Sequence, residues 1–207
     1  MCGIIGIASN KSVSTNIVES LKRLEYRGYD SAGLATLNNS QIQEKKCTGR
    51  VERLEQILFK DPSLGTIGIG HVRWATHGIP NKINAHPHSS EVVSVVHNGI
   101  IENSDILKKE LELKDVKFKS QTDTEVITLI LTEEIKKNSP IIAVQKTLKK
   151  LKGSFALGII FKDFDNLIIG ARRGSPLAVG YAKDENYLGS DSYALKSMTN
   201  KISYLDD

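Results

Sequence analysis

The sequence contains little cysteine and no long apolar run. Cys2 and Cys47 are the only cysteines among 207 residues, which argues against a disulfide framework and fits a reducing compartment. No apolar stretch approaches the roughly eighteen residues that a membrane helix needs. The first residues also lack the basic leader and cleavage site of a signal peptide. We therefore expect a soluble, cytoplasmic protein with no membrane partner.

Basic patches interleaved with aromatic side chains, which mark nucleic-acid-binding surfaces, are also missing. The formal net charge is +4, and aromatic residues make up 6% of the chain. The lysines are scattered or lie in helical patterns, as at Lys108, Lys109, Lys149 and Lys150, and are typical of solvated helix faces. We expect no nucleic-acid partner, although this charge leaves small anionic substrates open.

Short apolar runs bounded by turn residues predict buried strands. They cover residues 3–8, 67–72, 92–96, 155–161 and 167–171. Several of these runs lack strict alternation, so both faces of the strands should be covered. The segment Asn38-Asn39-Ser40 has the composition of a hairpin tip.

Three helix patterns lie between the predicted strands. The first has apolar residues recurring on one face over 17–24 and ends at Gly28, a candidate left-handed cap. The second begins at a capping box over 122–125. The third has Ser139 as N-cap and Pro140 at its first position. These elements predict one layered domain over residues 1–207, but periodicity does not distinguish a doubly wound sheet from two stacked sheets between helices.

Cys2 directly follows the initiator methionine. A cysteine is small enough for Met1 to be removed, and removal would leave a thiol and a free α-amine on one residue. Because an α-amine has a pKa near 8, part of it is neutral at physiological pH and can act as general base for the thiol. The alternative is that Cys2 is an incidental residue of a buried first strand.

The pair Asn98-Gly99 follows the apolar run 92–96. An asparagine amide and a glycine N–H can both donate to a developing oxyanion, and glycine permits close backbone approach. The same pair is also the strongest short signal for a type I′ hairpin turn. Both interpretations fit the sequence.

Arg73 and Asp123 have the opposite charges that an α-amino acid requires. Arg73 can bind a carboxylate with a planar, two-pronged grip, and Asp123 can pair with an ammonium. The alternatives are a surface salt bridge for Arg73 and a purely structural role for Asp123 at the start of a helix.

His86-Pro87-His88 and the other histidines do not suggest a metal centre. Acidic or thiolate ligands at metal-site spacing are missing around them, so a structural loop is the better interpretation. Gly65, Gly68 and Gly70 are likewise not placed as a phosphate-binding fingerprint.

Six motifs in order resemble the glutaminase domain of the glutamine–fructose-6-phosphate aminotransferases, also called glucosamine-6-phosphate synthases. The resemblance covers residues 1–191, and each motif is weak alone whereas the ordered set is specific. The motifs are Met1-Cys2-Gly3-Ile4, Arg27-Gly28-Tyr29-Asp30-Ser31-Ala32-Gly33, Arg73-Trp74-Ala75-Thr76-His77-Gly78, Asn84-Ala85-His86-Pro87-His88, His97-Asn98-Gly99-Ile100-Ile101-Glu102-Asn103 and Thr122-Asp123-Thr124-Glu125.

These enzymes are class II glutamine amidotransferases with an N-terminal-nucleophile hydrolase fold. The resemblance therefore implies an α+β fold, a four-layer αββα sandwich of two antiparallel sheets between helices. It also implies hydrolysis of glutamine to glutamate and ammonia through a thioester on Cys2, without a metal or an organic cofactor.

The resemblance implies a role for each matching residue. Cys2 is the nucleophile and its α-amine the base, and Asn98 and Gly99 form the oxyanion hole. The implied glutamine-binding residues are Arg73 and Thr76 at the carboxylate, Asp123 at the ammonium, and Trp74 and His77 on a loop that closes over the substrate.

The family's two C-terminal sugar-isomerase domains, which bind fructose 6-phosphate, are absent from this chain. The resemblance thus implies that ammonia reaches fructose 6-phosphate only in a full-length, homo-oligomeric enzyme. Two alternatives are the glutaminase domain of another class II amidotransferase and a non-catalytic glutamine-binding module. Tyr29 and the Trp-Ala-Thr-His-Gly sequence at 74–78 fit the hexosamine branch better than the amidophosphoribosyltransferase type.

Overall fold

The computed structural model describes residues 2–75 and 78–207. The strands in this part of the chain are β1 (Gly3–Ala8), β2 (Ser31–Asn38), β3 (Gln41–Thr48), β4 (Ile67–Arg73), β5 (His88–Ser89), β6 (Val93–Ile101), β7 (Gly153–Phe161), β8 (Ile168–Arg173), β9 (Ala178–Tyr181), β10 (Asn186–Gly189) and β11 (Lys201–Tyr204). The helices are α1 (Ser14–Leu24), followed by a 3₁₀ turn (Glu25–Arg27), α2 (Val51–Lys60), α3 (Ser104–Glu112), α4 (Asp123–Glu134), α5 (Pro140–Lys150) and α6 (Ser192–Leu195).

The strands form two sheets in which every described pair is antiparallel. The larger sheet has seven strands in the order β11-β9-β10-β1-β4-β2-β3, and the smaller has four in the order β5-β6-β7-β8. β1 pairs with β10 on one side and with β4 on the other. The first strand of the chain therefore lies inside the larger sheet, and its start is held beside the end of β4.

Three apolar cores separate four layers. Because successive side chains of a strand point to opposite faces, Ile5 and Ile7 of β1 pack in the core under α1 and α2, whereas Ile4 packs in the core between the sheets. A third core joins the outer face of the smaller sheet to α3, α4 and α5. The expected αββα sandwich of two antiparallel sheets between helices is confirmed.

The hairpin tip predicted at Asn38-Asn39-Ser40 is confirmed. Asn39 and Ser40 have φ values of 48° and 58°, and two successive positive φ values define the type I′ turn that matches the twist of paired strands. The turn joins β2 to β3, which pair in register from Ser31↔Thr48 to Asn38↔Gln41.

The prediction of a left-handed cap at Gly28 is wrong. Its φ of 179° is ordinary extended backbone, and α1 ends earlier, through the 3₁₀ turn. A different constraint selects glycine, since a Cβ at this position would lie 2.5 Å from the carbonyl carbon of Arg73. The missing side chain allows the end of β4 to pack against residue 28.

The helix starts at Asp123 and Pro140 are confirmed, but the capping box is not formed as predicted. Thr122 makes no side-chain cap hydrogen bond. The Glu125 carboxylate instead accepts from the backbone N–H groups of Lys119 and Ser120, at 2.9 and 2.6 Å. The acidic residue thus fixes the loop before α4 rather than its N-cap. No helix in the described ranges is long and apolar enough to cross a membrane.

Candidate functional site

The site lies where the start of β1 meets the end of β4. Gly3 pairs with Val72, so Cys2 and Arg73 are the next residues on neighbouring strands. Trp74 follows β4 directly, and its backbone N–H donates to the Cys2 sulfur at 3.3 Å. The sheet register alone therefore brings the candidate nucleophile and the candidate carboxylate-binding residue together.

Cys2 is held by hydrogen bonds at both its thiol and its backbone. The thiol donates to the Trp74 carbonyl oxygen at 3.5 Å, and the Cys2 carbonyl accepts from Arg27 Nε at 3.2 Å and Asn98 Nδ2 at 3.1 Å. Burial raises the pKa of the thiol above its ordinary value, and the Trp74 backbone hydrogen bond opposes this shift. Cys2 is partly exposed and precedes β1, so it is not buried inside the first strand, and its role as nucleophile stays a prediction.

We call the cavity in front of this thiol the nucleophile pocket. Its lining residues are Cys2, Arg73, Trp74, His86, His97, Gly99, Thr122, Asp123 and Thr124. Five of the predicted site residues thus line one cavity. One basic and one acidic side chain among them, Arg73 and Asp123, match in sign the two charged ends of an amino acid.

Arg73 is 3% exposed, so the alternative of a surface salt bridge is wrong. Its Nη2 donates to the Gly78 carbonyl oxygen at 3.1 Å, and Nη1 lies 3.9 Å from Asp30 Oδ1. A buried guanidinium is costly unless it is paired and hydrogen-bonded. These contacts hold it at the wall of the pocket.

Asp123 lies in the first turn of α4 and is 9% exposed. Its Oδ2 accepts from the Ile101 backbone N–H at 2.9 Å, and its Oδ1 lies 3.8 Å from His97 Nδ1. The carboxylate therefore joins α4 to the end of β6 while lining the pocket. The structural role at the helix start is thus observed, and binding of a substrate ammonium stays a prediction for a carboxylate that lines the pocket.

Asn98-Gly99 is not a hairpin turn, and the strand predicted over 92–96 extends past the pair to Ile101. β6 continues through the pair, with Asn98 opposite Ala156 and Gly99 opposite Phe155 of β7. Gly99 has a φ of 118°, and a Cβ there would lie 2.1 Å from the Ser154 carbonyl oxygen. Only glycine fits this distorted position, where the strand turns its backbone toward the pocket.

Trp74, Asn98, Thr76 and His77 complete the set of predicted site residues. Trp74 is half exposed, and its ring packs edge-on against Tyr29 with centroids 5.5 Å apart. Asn98 does not line the pocket, and its amide instead meets the Cys2 backbone. Thr76 and His77 lie outside the described residues.

Sequence reasoning missed a layer of buried histidines, of which His86 and His97 line the pocket and His71 and His88 do not. His71 and His86 stack with ring centroids 4.3 Å apart, and His86 meets His88 edge-on at 4.8 Å. The Thr124 hydroxyl is 2.8 Å from His86 Nε2 and 2.9 Å from His97 Nδ1. The signal available in the sequence was His71 at an inward position of a predicted strand, since a polar residue there requires partners.

Arg27 and Asp191 were also missed as supports of the nucleophile. Arg27 Nη1 donates to Asp191 Oδ2 at 2.6 Å, while its Nε holds the Cys2 carbonyl. The two residues are 164 positions apart, so no local pattern could reveal the pair. The ion pair ties the N-terminal end of β1 to the segment after β10.

A family comparison agrees with this geometry. The model of the glutamine amidotransferase domain matches residues 72–197, which include Arg73, Asn98, Gly99 and Asp123. The chain belongs to the glutamine amidotransferase domain family.

Curated relatives extend the match over the whole chain. Two glutamine–fructose-6-phosphate aminotransferases [isomerizing], from Mesorhizobium japonicum and Zymomonas mobilis, are 52% and 51% identical to all of this chain and match it over 34% of their own length. The chain therefore spans about a third of the length of these relatives.

Solved structures share the fold of this amidotransferase domain. Glutamine phosphoribosylpyrophosphate amidotransferase from B. subtilis, complexed with ADP and GMP, matches with a TM-score of 0.83 at 26% identity, over 99% of this chain and 44% of its own. A glutamine aminotransferase class-II domain protein from Silicibacter pomeroyi matches with a TM-score of 0.63 at 13% identity, over 91% of this chain and 88% of its own. The latter similarity concerns the fold alone.

Proposed function

We propose that this chain hydrolyses the side-chain amide of glutamine to glutamate and ammonia, with the Cys2 sulfur as nucleophile. The observation that carries the proposal is the position of the Cys2 thiol in one pocket with Arg73 and Asp123. Arg73 would bind the α-carboxylate of glutamine and Asp123 its ammonium. The side-chain amide would then lie toward Cys2.

The reaction proceeds through a thioester. After removal of Met1, the α-amine of Cys2 takes the thiol proton while sulfur bonds to the amide carbon, and the carbonyl oxygen becomes an oxyanion. The carbon–nitrogen bond then breaks, and the nitrogen leaves as ammonia with that proton. Water adds to the thioester, the carbon–sulfur bond breaks, and glutamate and the thiol are restored. No metal or organic cofactor enters these steps.

Asn98 and Gly99 would stabilise the oxyanion. The Gly99 backbone lines the pocket, and the Asn98 NH₂ group lies 3.1 Å from the carbonyl oxygen of the nucleophile residue. Thr76, Trp74 and His77 would complete the glutamine site, with the last two on a closing loop as the family resemblance implies. Losing one oxyanion donor typically costs about 3–4 kcal/mol of barrier.

Glutamate and ammonia release from glutamine tests the proposal, with the two cysteines as a matched pair. Cys2→Ala should abolish release, whereas Cys47→Ala should leave it intact because Cys47 is buried in β3 away from the pocket. Loss of activity in both variants would contradict the assignment. Calorimetric binding of glutamine without turnover would support the alternative of a non-catalytic binding module.

The destination of the ammonia is proposed from the curated relatives. They are named for transfer to fructose 6-phosphate, and they match this chain at 52% and 51% identity, against 26% for the phosphoribosylpyrophosphate enzyme. We therefore favour the hexosamine branch, with a sugar site in domains outside residues 1–207 and a homo-oligomeric longer protein. The 207-residue chain should form no glucosamine 6-phosphate from fructose 6-phosphate and glutamine, and any such product would contradict this division.

A further inference from the structure

His71 connects the two sheets directly behind the nucleophile. It lies on β4 of the larger sheet and is 1% exposed. Its Nε2 is 3.0 Å from the His97 carbonyl oxygen and 3.1 Å from Asn98 Oδ1, both on β6 of the smaller sheet. His71 is not among the residues that line the nucleophile pocket, so it acts on that pocket only through its neighbours.

The hydrogen positions on the His71 ring follow from its partners. A carbonyl oxygen can only accept, so the contact with His97 requires Nε2 to carry a hydrogen. Burial lowers the pKa of His71 to about 3, which keeps the ring neutral at pH 7 and leaves Nδ1 without a hydrogen. The backbone of β6 thus selects one tautomer of the ring.

That tautomer determines which way the Asn98 amide faces. The one Nε2–H is shared between the His97 carbonyl and the Asn98 side chain, and only an acceptor, Oδ1, can face it. The NH₂ group then faces the opposite way, where it donates to the Cys2 carbonyl at 3.1 Å. A flipped amide would set two donors against each other at His71 and two acceptors against each other at Cys2, so both hydrogen bonds would be lost.

We propose that His71 is a positioning residue: its Nε2–H holds the Asn98 amide with the NH₂ group toward Cys2, ready to donate to the oxyanion. This inference rests on the proposed glutaminase function. A neutral histidine suits the task because it donates at one nitrogen without adding a charge beside the nucleophile. The His97 carbonyl thus selects the tautomer of His71, and that tautomer sets the orientation of the Asn98 amide.

Two amide substitutions separate this role from simple packing. His71→Gln places an NH₂ donor near the position of Nε2, whereas His71→Asn places it near Nδ1. We expect His71→Asn to lower kcat for glutamine hydrolysis about 10- to 100-fold with KM changed less than about twofold, because the interaction matters mainly in the transition state. His71→Gln should recover most of the rate. Equal loss in both variants, or a rise in KM that matches the fall in kcat, would overturn the proposal.

A double-mutant cycle with Asn98→Ala tests whether the effect passes through Asn98. Without the amide there is nothing to orient, so adding His71→Asn should lower kcat by less than about twofold. Additive losses would show that His71 acts by another route.

Nitrogen-15 NMR of the unsubstituted protein gives a readout that needs neither a variant nor activity. We expect His71 to be neutral with hydrogen on Nε2 at pH 7, and a hydrogen on Nδ1 would overturn the proposal even if glutamine is hydrolysed. If His71 shows the expected tautomer but glutamine is not hydrolysed, the glutaminase function is refuted, and with it the catalytic role of His71. The hydrogen bonds between His71, Asn98 and Cys2 would still be supported.

Discussion

Burial and hydrogen bonding act on the Cys2 thiol in opposite directions. Burial raises its pKa, while the Trp74 backbone hydrogen bond and the charge of Arg73 lower it. Since the raised pKa keeps the sulfur protonated at neutral pH, a base must take the proton during attack. The α-amine exposed by loss of Met1 would be that base, because the same nitrogen in a peptide bond cannot accept a proton.

The NH₂ group of Asn98 donates a hydrogen bond to the backbone carbonyl of Cys2. We expect Asn98→Ala to leave glutamine binding largely intact while lowering hydrolysis by roughly 10²–10³-fold, because its amide should act on charge that develops in the transition state. Steady-state kinetics and calorimetric binding of glutamine measure the two effects separately. Near-normal turnover would remove Asn98 from the oxyanion hole.

Arg73 and Asp123 should control affinity more than folding. Arg73→Lys keeps the charge but loses the planar fork, so it should raise KM for glutamine, and Asp123→Asn should raise it by removing the charge that faces the ammonium. Arg53→Lys, on the exposed surface of α2, is the matched control and should leave KM for glutamine unchanged. Normal KM values in both pocket variants would show that Arg73 and Asp123 do not bind the two charged ends of glutamine.

At the level of elements, β6 and α4 each contribute two lining residues to the pocket. The sequence predicted where α4 begins but not the course of β6. The start of α4 was predicted from the local sequence Thr122-Asp123-Thr124-Glu125, although the capping box itself does not form. The course of β6 through Asn98-Gly99 was not, because Asn-Gly has the local composition of a turn and only pairing with β7 overrides it. A long-range register decided the conformation of Asn98 and Gly99, the proposed oxyanion-hole residues.

The Glu125 carboxylate should be the principal support of the loop before α4. It is 7% exposed and accepts three hydrogen bonds, from Lys119 N–H and from Ser120 N–H and hydroxyl. Glu125→Ala should lower the free energy of unfolding by about 2–4 kcal/mol, since it leaves buried donors unsatisfied. Urea unfolding measures the loss.

Glu133→Ala on the same helix is the control for Glu125. Its side chain is 49% exposed and pairs with Lys136 at the surface, so the loss should stay below about 0.5 kcal/mol. Equal effects of the two substitutions would show that helix propensity, rather than the buried carboxylate, is responsible.

For the whole molecule, the sequence predicted those features that depend on local patterns. The hairpin at Asn38-Asn39-Ser40, the strand cores and the helix starts follow from turn chemistry and periodicity. The stacking of two sheets did not follow from periodicity and came from the family resemblance. The supports of Cys2 depend on contacts between residues far apart in the chain, such as Arg27 with Asp191, which a single sequence does not reveal.

The histidine layer should make stability fall at acid pH. Burial lowers the folded-state pKa values of His71, His86 and His88, whereas unfolded histidine titrates near pH 6.5. The unfolded state therefore binds more protons below that pH, and stability present at neutral pH is lost as pH falls from about 6.5 toward about 3. Each histidine should contribute a slope of up to about 1.4 kcal/mol per pH unit.

Urea unfolding between about pH 7.5 and pH 5 measures this slope before carboxylates titrate. His71→Gln should reduce it by close to one proton's contribution, because the replacement does not titrate. A slope that is unchanged in His71→Gln, or stability that rises on acidification, would contradict neutral burial of these rings.

The central claim, that Cys2 attacks the glutamine amide, is tested most directly by mass measurement after incubation with a glutamine analogue carrying an electrophile at the amide position. We predict a single adduct on the peptide that begins with Cys2, with Met1 removed, Cys47 unmodified, and labelling suppressed by glutamine. Labelling of Cys47 instead, labelling of a chain that retains Met1, or labelling that glutamine does not suppress would contradict the account.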